Sequence, residues 1–296
     1  MTRRLHSLGL SPALAPVATK RIVSKALVLT VLLLSMAMPA ESQDREVKWE
    51  VGGGGRLNYL GLSGGVTGFN AETDAEYDLD YHDIGMDKYS PSLSLALGGR
   101  YKKWNLSFGA SRGTYSGTFI TQNDIDRDTI HIPAGSEVES QIKMGIYSLA
   151  TTFAVVRRKH DLGVGLGFLV LNMGTRFETT DVLLENNNWF PMPFLAVSGR
   201  LNFDRFRVSA VGGGAYFDGE KDDYDYTVWY YTFDVKGVYD FYRKDNWAAS
   251  VSLGYRQMVM DSEAAKGESW FKEKDNYKGP FLSLRVKYTR FLDELL

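Results

Sequence analysis

The sequence predicts an all-β fold, an antiparallel up-and-down transmembrane β-barrel of about ten strands with long loops at one end and short turns at the other. Three observations predict it. Apolar and polar residues alternate with a period of two through most of the chain after residue 42, as in strands wet on one face only. The connections between these segments alternate strictly between long and short. Aromatic residues gather at both ends of the segments, where amphipathic rings sit at the headgroup depth of a bilayer.

The first element is not a strand. Ala26 to Ala37, ALVLTVLLLSMA, is an apolar run behind Arg3, Arg4, Lys20, Arg21 and Lys25, and small residues follow around Pro39, Ala40 and Ser42. That order predicts a secretory signal peptide over 1–42, cut after Ser42, Ala37 or Ala40, and an outer-membrane barrel domain over 43–296. The run is too short to span a bilayer as a helix, and no later stretch offers about 18 consecutive apolar residues.

Strands are predicted at 46–60, 91–103, 104–119, 138–157, 161–177, 192–203, 205–217, 228–242, 246–260 and 279–291. In the second, Leu93, Leu95, Leu97 and Tyr101 oppose Ser92, Ser94, Arg100 and Lys102. In the eighth, Trp229, Tyr231, Phe233, Val235, Tyr239 and Phe241 oppose Thr232, Asp234, Lys236 and Asp240. In the ninth, Trp247, Ala249, Val251, Leu253 and Tyr255 oppose Ser250, Ser252 and Arg256. Long loops are expected at 61–90, 120–137, 178–191, 218–227 and 261–278, and short turns near Lys103, Arg158 to His160, Asp204 and Lys244 to Asn246. This asymmetry puts both chain ends on the periplasmic side.

One aromatic girdle is read from Tyr101, Trp104, Phe203, Phe206, Phe241, Trp247, Tyr288 and Phe291 at the short-turn end. The other comprises Phe119, Phe177, Trp189, Phe190, Tyr216, Phe217, Trp229, Tyr231, Trp270 and Phe271. A soluble sandwich would concentrate such residues in mid-core instead. The last strand, PFLSLRVKYTRF, resembles the C-terminal targeting strand of outer-membrane proteins, which implies the barrel-assembly machinery as a partner; here LDELL follows the terminal aromatic.

Composition excludes several classes of function. Setting aside the five basic residues and Glu41 of the first 42 leaves 29 basic and 35 acidic residues, net −6, with no surplus to neutralise nucleic-acid phosphates. Cysteine is absent, which removes disulfides, thiolate metal sites, cysteine catalysis and a lipoprotein anchor. No cofactor motif is present, so none is expected. The partners implied are outer-membrane lipid and lipopolysaccharide, with a small solute if the lumen conducts.

Alternation assigns Glu50, Arg56, Arg100, Lys102, Arg200, Arg207, Asp234, Lys236, Asp240, Arg256, Arg285 and Lys287 to the lumen. A barrel of this size is close to those whose interior is filled by side chains, so an ion-paired network is preferred to an anion-attracting path, both signs being present. Gly163, Gly165 and Gly167 leave one wall bare, to be filled by lumenal Arg residues, water or an inward loop, and Gly52 to Gly55 either does the same or marks a bend.

The first long loop, EYDLDYHDIGMD, places Asp78, Asp80, His82, Asp83 and Asp87 close together. Asp78, Asp80 and Asp83 are candidate ligands for a divalent cation. Asp80 and His82 are candidates for activating water, and the pair resembles the Asp-x-His pair of the omptin outer-membrane proteases, which are similar in size and strand number. In omptins the pair lies on the fourth loop and works with a distant pair of aspartates. A solvated acidic loop accounts for the same residues and is preferred. Residues 78–109 also resemble the acidic loop and hairpin of poorly characterised bacterial outer-membrane barrels, which implies location and fold and no activity. The functional reading is a structural or narrow-channel barrel passing a small solute or ion. A surface hydrolase, protease or lipid-acting, and a loop-mediated ligand- or cell-binding protein rank behind it.

Overall fold

The computed structural model describes residues 47–71, 75–86, 89–121, 125–127, 130–157, 160–179, 183–221 and 224–291; the expected signal peptide lies outside them. The strands are β1 (Val47–Asn70), β2 (Ala75–Asp80), β3 (Tyr89–Tyr101), β4 (Trp104–Ile120), β5 (Ile125–Arg127), β6 (Ile130–Ile132) and β7 (Glu137–Arg157). They continue as β8 (Asp161–Glu178), β9 (Leu183–Phe203), β10 (Phe206–Lys221), β11 (Tyr224–Lys244), β12 (Trp247–Lys266) and β13 (Ser269–Phe291). Ten of them, β1, β3, β4 and β7 through β13, pair antiparallel in that order, and β13 closes the ring on β1 from Val47↔Phe291 to Phe69↔Trp270. Closure leaves the ring no unpaired edge. β2 folds back on the far end of β1, and β5 with β6 forms a separate two-stranded ribbon.

Two-residue turns join strands at the short-turn end, and Lys102, Asp204 and Asp245 take positive φ there, at 51°, 48° and 51°. Lys102, expected in the lumen, is therefore corrected to an exposed turn position with its Nζ 5.5 Å from the Tyr101 ring. The Gly52 to Gly55 run contains no bulge, because β1 keeps regular register on both neighbours across it. At Gly54 an added Cβ would meet the Leu284 carbonyl oxygen at 2.2 Å, so the close approach of β1 and β13 is what requires glycine.

Four of the five expected long loops are more than half strand. Of 218–227 only 222–223, which are not described, lie outside β10 and β11, and β12 and β13 are joined by Gly267 and Glu268 alone. The reason is a change of parity. On β12, Leu253 and Tyr255 point outward and Ser252 and Arg256 inward; beyond Arg256, Met258 and Met260 are buried inside while Glu263 is exposed outside. β13 mirrors this, with Leu282, Leu284 and Val286 outward near the short-turn end and Lys272, Lys274 and Lys278 outward beyond Pro280. Each strand thus reverses its amphipathicity without leaving the ladder.

The reversal divides the barrel into two sections. In the first, Leu93, Leu95, Leu97, Leu106, Leu166, Leu253, Leu282 and Leu284 are each at least half exposed on the outside, an apolar band far too large for a water-facing surface. Exposed Tyr101, Trp104, Phe203, Phe206, Phe241 and Trp247 rim its short-turn edge. The pairs Tyr59–Tyr89 at 5.3 Å, Tyr147–Trp189 at 6.1 Å and Tyr216–Trp229 at 4.4 Å rim the other. From Tyr231 to Phe241 is eleven residues, the length a tilted strand needs to cross a bilayer. The band and its girdles make this a transmembrane barrel.

The second section projects past the girdle and is built as a water-soluble barrel, apolar within and polar without. Four aromatics expected in the girdle, Phe119, Phe177, Phe190 and Phe217, instead pack against its interior, because unbroken alternation puts them on the inward face, which is the apolar one in this section. Leu60, Tyr115, Ile142, Leu171, Met192 and Val228 fill that interior with under 2% exposure. Burial of each aliphatic side chain of this size stabilises the fold by about 1.5–3 kcal/mol.

Candidate functional site

The lumen follows the same division, with an inner, charged compartment behind the apolar band and an outer, apolar compartment in the projecting section. In the inner one, Asp234 on β11 receives Arg256 from the adjacent β12 and Arg56 from β1, each at 2.7 Å. Arg56 also lies 4.0 Å over the Phe281 ring. Asp240 takes Arg207 at 2.6 Å and Arg243 at 2.8 Å; Arg243 continues to Asp204 at 3.3 Å at the short-turn rim. Glu50 faces Lys287 at 3.3 Å and Arg285 at 3.8 Å, and accepts a hydrogen bond from Thr289. Asp161 lies 3.5 Å from Arg200 and 3.8 Å from Arg100. Lys236 stands on the same inward face of β11 as Asp234.

Two of these bonds cross the lumen, since β1 and β11 are three strands apart in the ring, as are β3 and β8. Charges removed from bulk water are tolerated when paired and hydrogen-bonded, and cross-lumen pairs also brace the ring. The bare Gly163 to Gly167 wall is covered by neither arginine nor a loop at its outer end: the Phe194 ring lies where a Cβ on Gly167 would fall, 2.3 Å from its Cε1.

The outer compartment is sealed by the turn after β2. Tyr81, Ile84 and Met86 insert into the apolar core beside Tyr115, Met144 and Tyr277. Backbone bonds hold the turn, with Tyr81 N donating to Gly64 O at 3.0 Å and Met86 N to Tyr81 O at 3.1 Å. Ser140 Oγ donates to Ile84 O at 3.2 Å. Gly85 has φ +67°, and a Cβ there would lie 2.1 Å from the Thr118 carbonyl oxygen, so the turn fits only with glycine at its tip. Packing leaves a narrow apolar cleft lined by Met144, Leu171, Met173, Tyr230, Met258, Val259, Met260 and Tyr277.

One polar cluster interrupts this core. Tyr81 donates to Glu273 at 2.7 Å and Tyr277 to Asp275 at 3.1 Å, while among the described residues Asp275 Oδ1 and the Tyr115 hydroxyl have no hydrogen-bond partner. The cluster lies beyond Lys278, outside the membrane band. Burial there raises both carboxyls, Asp275 well above the usual carboxylate range, and Glu273 beside it adds to the effect on Asp275.

The acidic residues of the first loop stand apart from both compartments. Asp78, Asp80, His82 and Asp83 are exposed at the outer rim, and Asp87 is not among the described residues. Asp80 Oδ1 accepts the backbone N–H of His82 at 2.8 Å, a local cap of the turn that carries the seal. Among the described residues no group of three or more His, Asp or Glu side chains is arranged to hold a metal ion. Of the network's members, Asp161 and Arg243 escaped the sequence reading because both sit where a strand meets a short turn. Glu273 and Asp275 escaped because 261–278 reads as loop; the signal was the parity change between Tyr255 and Met258.

No protein-family profile matches the sequence, and no curated protein is significantly similar to it. Solved structures similar in architecture include the outer membrane protease OmpT from Escherichia coli, at TM-score 0.49 and 11% identity, covering 84% of this chain and 99% of that one. The transport unit of the autotransporter AIDA-I from Escherichia coli gives TM-score 0.38 and 9% identity over 90% of this chain and 98% of that one. The translocator domain of the autotransporter NalP from Neisseria meningitidis gives 0.35 and 14% over 92% and 97%. All are bacterial outer-membrane β-barrels; the assignment of this chain to that fold rests on its own closed pairing and apolar band.

Proposed function

We propose that the mature chain is a closed barrel of the outer membrane with a structural role, its short turns in the periplasm and its projecting section outside the cell. The observation that carries this reading is the double closure of the lumen: the Tyr81, Ile84 and Met86 turn packed into an apolar outer compartment, and an ion-paired network across the inner one. A path for a small solute would require both to rearrange. Outer-membrane lipid covers the apolar band. The outward Lys272, Lys274 and Lys278 suit the phosphates of lipopolysaccharide just beyond the girdle. Export by the segment 1–42 and delivery by the barrel-assembly machinery complete the proposal.

The test is single-channel conductance of the refolded mature chain in a planar bilayer, with insertion verified separately. The expected result is a silent, inserted barrel. Reproducible conductance steps from the unaltered protein would overturn it and make transport the function.

A further inference from the structure

Among the described residues the inner compartment holds more cations than carboxylates. Leaving Arg243 at the rim aside, eight cations face Glu50, Asp161, Asp234 and Asp240. The shortfall is local. Asp234 and Asp240 are satisfied at 2.6–2.8 Å, whereas Arg200 and Arg285 reach a carboxylate only at 3.5 and 3.8 Å, on acids that already serve another cation. Among the described residues Lys236 has no carboxylate within 4.0 Å. Unneutralised cations inside a low-dielectric wall are costly and draw counter-anions to them.

Register places the under-neutralised groups side by side. Ser209 on β10 pairs with Arg200 on β9 and with Lys236 on β11, so a guanidinium, a hydroxyl and an ammonium lie on one inward row. Arg285 belongs to β13, four strands farther round the ring from Arg200. Gly163, Gly165 and Ser198 leave the adjoining wall low, and Val211, inward between Ser198 and Asp234, keeps 43% exposure. The Arg285 side chain is also 43% exposed, which brings water to this level.

We propose that this row is a binding site for a small oxyanion, a phosphate- or carboxylate-bearing solute entering from the short-turn side. Arg200 and Lys236 supply charge-assisted donors, Ser209 a neutral donor between them, and Arg285 a further donor across the lumen. The site needs no through-path, so a silent barrel in conductance leaves it standing, and a conducting one does not establish it.

The experiment uses the refolded mature chain and inorganic phosphate as probe. Thermal unfolding is followed across a phosphate titration, with chloride or phosphate making up a constant ionic strength. The expected result is a saturable rise in unfolding temperature with phosphate, absent with chloride, lost in the Arg200→Gln, Lys236→Gln double variant and kept in the turn variant Lys102→Gln. Equal response to the two anions would show screening alone and overturn the proposal on the unaltered protein, whether or not the double variant folds. Retention of the phosphate response by a folded double variant would overturn the assigned residues. A second variant, Lys236→Met, should match or exceed the unaltered unfolding temperature in phosphate-free buffer, because it removes an uncompensated charge; a clear drop would mean Lys236 is already satisfied and the site does not exist.

Discussion

Asp234 holds two arginines from two other strands, and its replacement tests whether the network stiffens the barrel. Asp234→Ala leaves Arg56 and Arg256 buried without a counter-charge, and the expected loss is about 3–5 kcal/mol. Urea unfolding of the variant in lipid vesicles measures it. Asp275 makes the opposite kind of prediction. Its folded pKa is raised by burial, so stability is fully present below the ordinary value of 3.8 and is lost as pH rises toward the folded value, where a buried charge must form. Thermal unfolding should therefore fall with rising pH above about 4, and Asp275→Asn should flatten the dependence. Both residues faced inward on strands whose alternation was readable, but only Asp234 sat in a stretch read as strand. For Asp80 and His82 the sequence supplied the spacing; it could not supply the local bond from His82 N to Asp80 Oδ1, which depends on turn geometry.

β13 shows how far an element can be read and where reading stops. Leu282, Leu284 and Val286 identify its membrane half because apolar residues recur every second position with charged ones between. Its outer half, SWFKEKDNYK, carries so much charge that it reads as loop, yet every second charge is a lysine facing water and the others face the core. Period two persists while the apolar side changes, and a search for one continuous apolar face ends the strand at the change. All ten ring strands were placed by their membrane halves for this reason; β4, β7 and β8 were read to within a residue of their outer ends, whereas the outer ends of β1, β9, β10, β11, β12 and β13 were cut short. The two halves should respond oppositely to substitution. Leu284→Arg places a charge in lipid and is expected to cost about 2–4 kcal/mol, whereas Lys274→Leu, on the water-facing half, should change stability by less than about 0.5 kcal/mol. Equilibrium folding into vesicles compares the two directly.

At the scale of the molecule, one ring of strands serves two solvents. Behind the lipid-facing band the interior is polar and braced by ion pairs; beyond the girdle it is apolar and closed by a turn that the barrel grips with Gly85, Ser140 and Tyr81. Closure thus arises from the parity change, because inward-facing methionines and aromatics make an interior that the Tyr81–Met86 turn can enter without leaving polar groups dry, apart from the cluster at Asp275.

The chain has no cysteine, so single cysteines can be placed at positions 274, 277 and 284 of β13 and their rates of reaction with a water-soluble, membrane-impermeant thiol reagent compared in vesicles exposing the projecting section. Rapid labelling at 274 with protection at both 277 and 284 is the result the account predicts, 277 being sealed inside the projecting barrel and 284 covered by lipid. Labelling at 277 as fast as at 274 would contradict it by showing an open lumen, and rapid labelling at 284 would place the band in water.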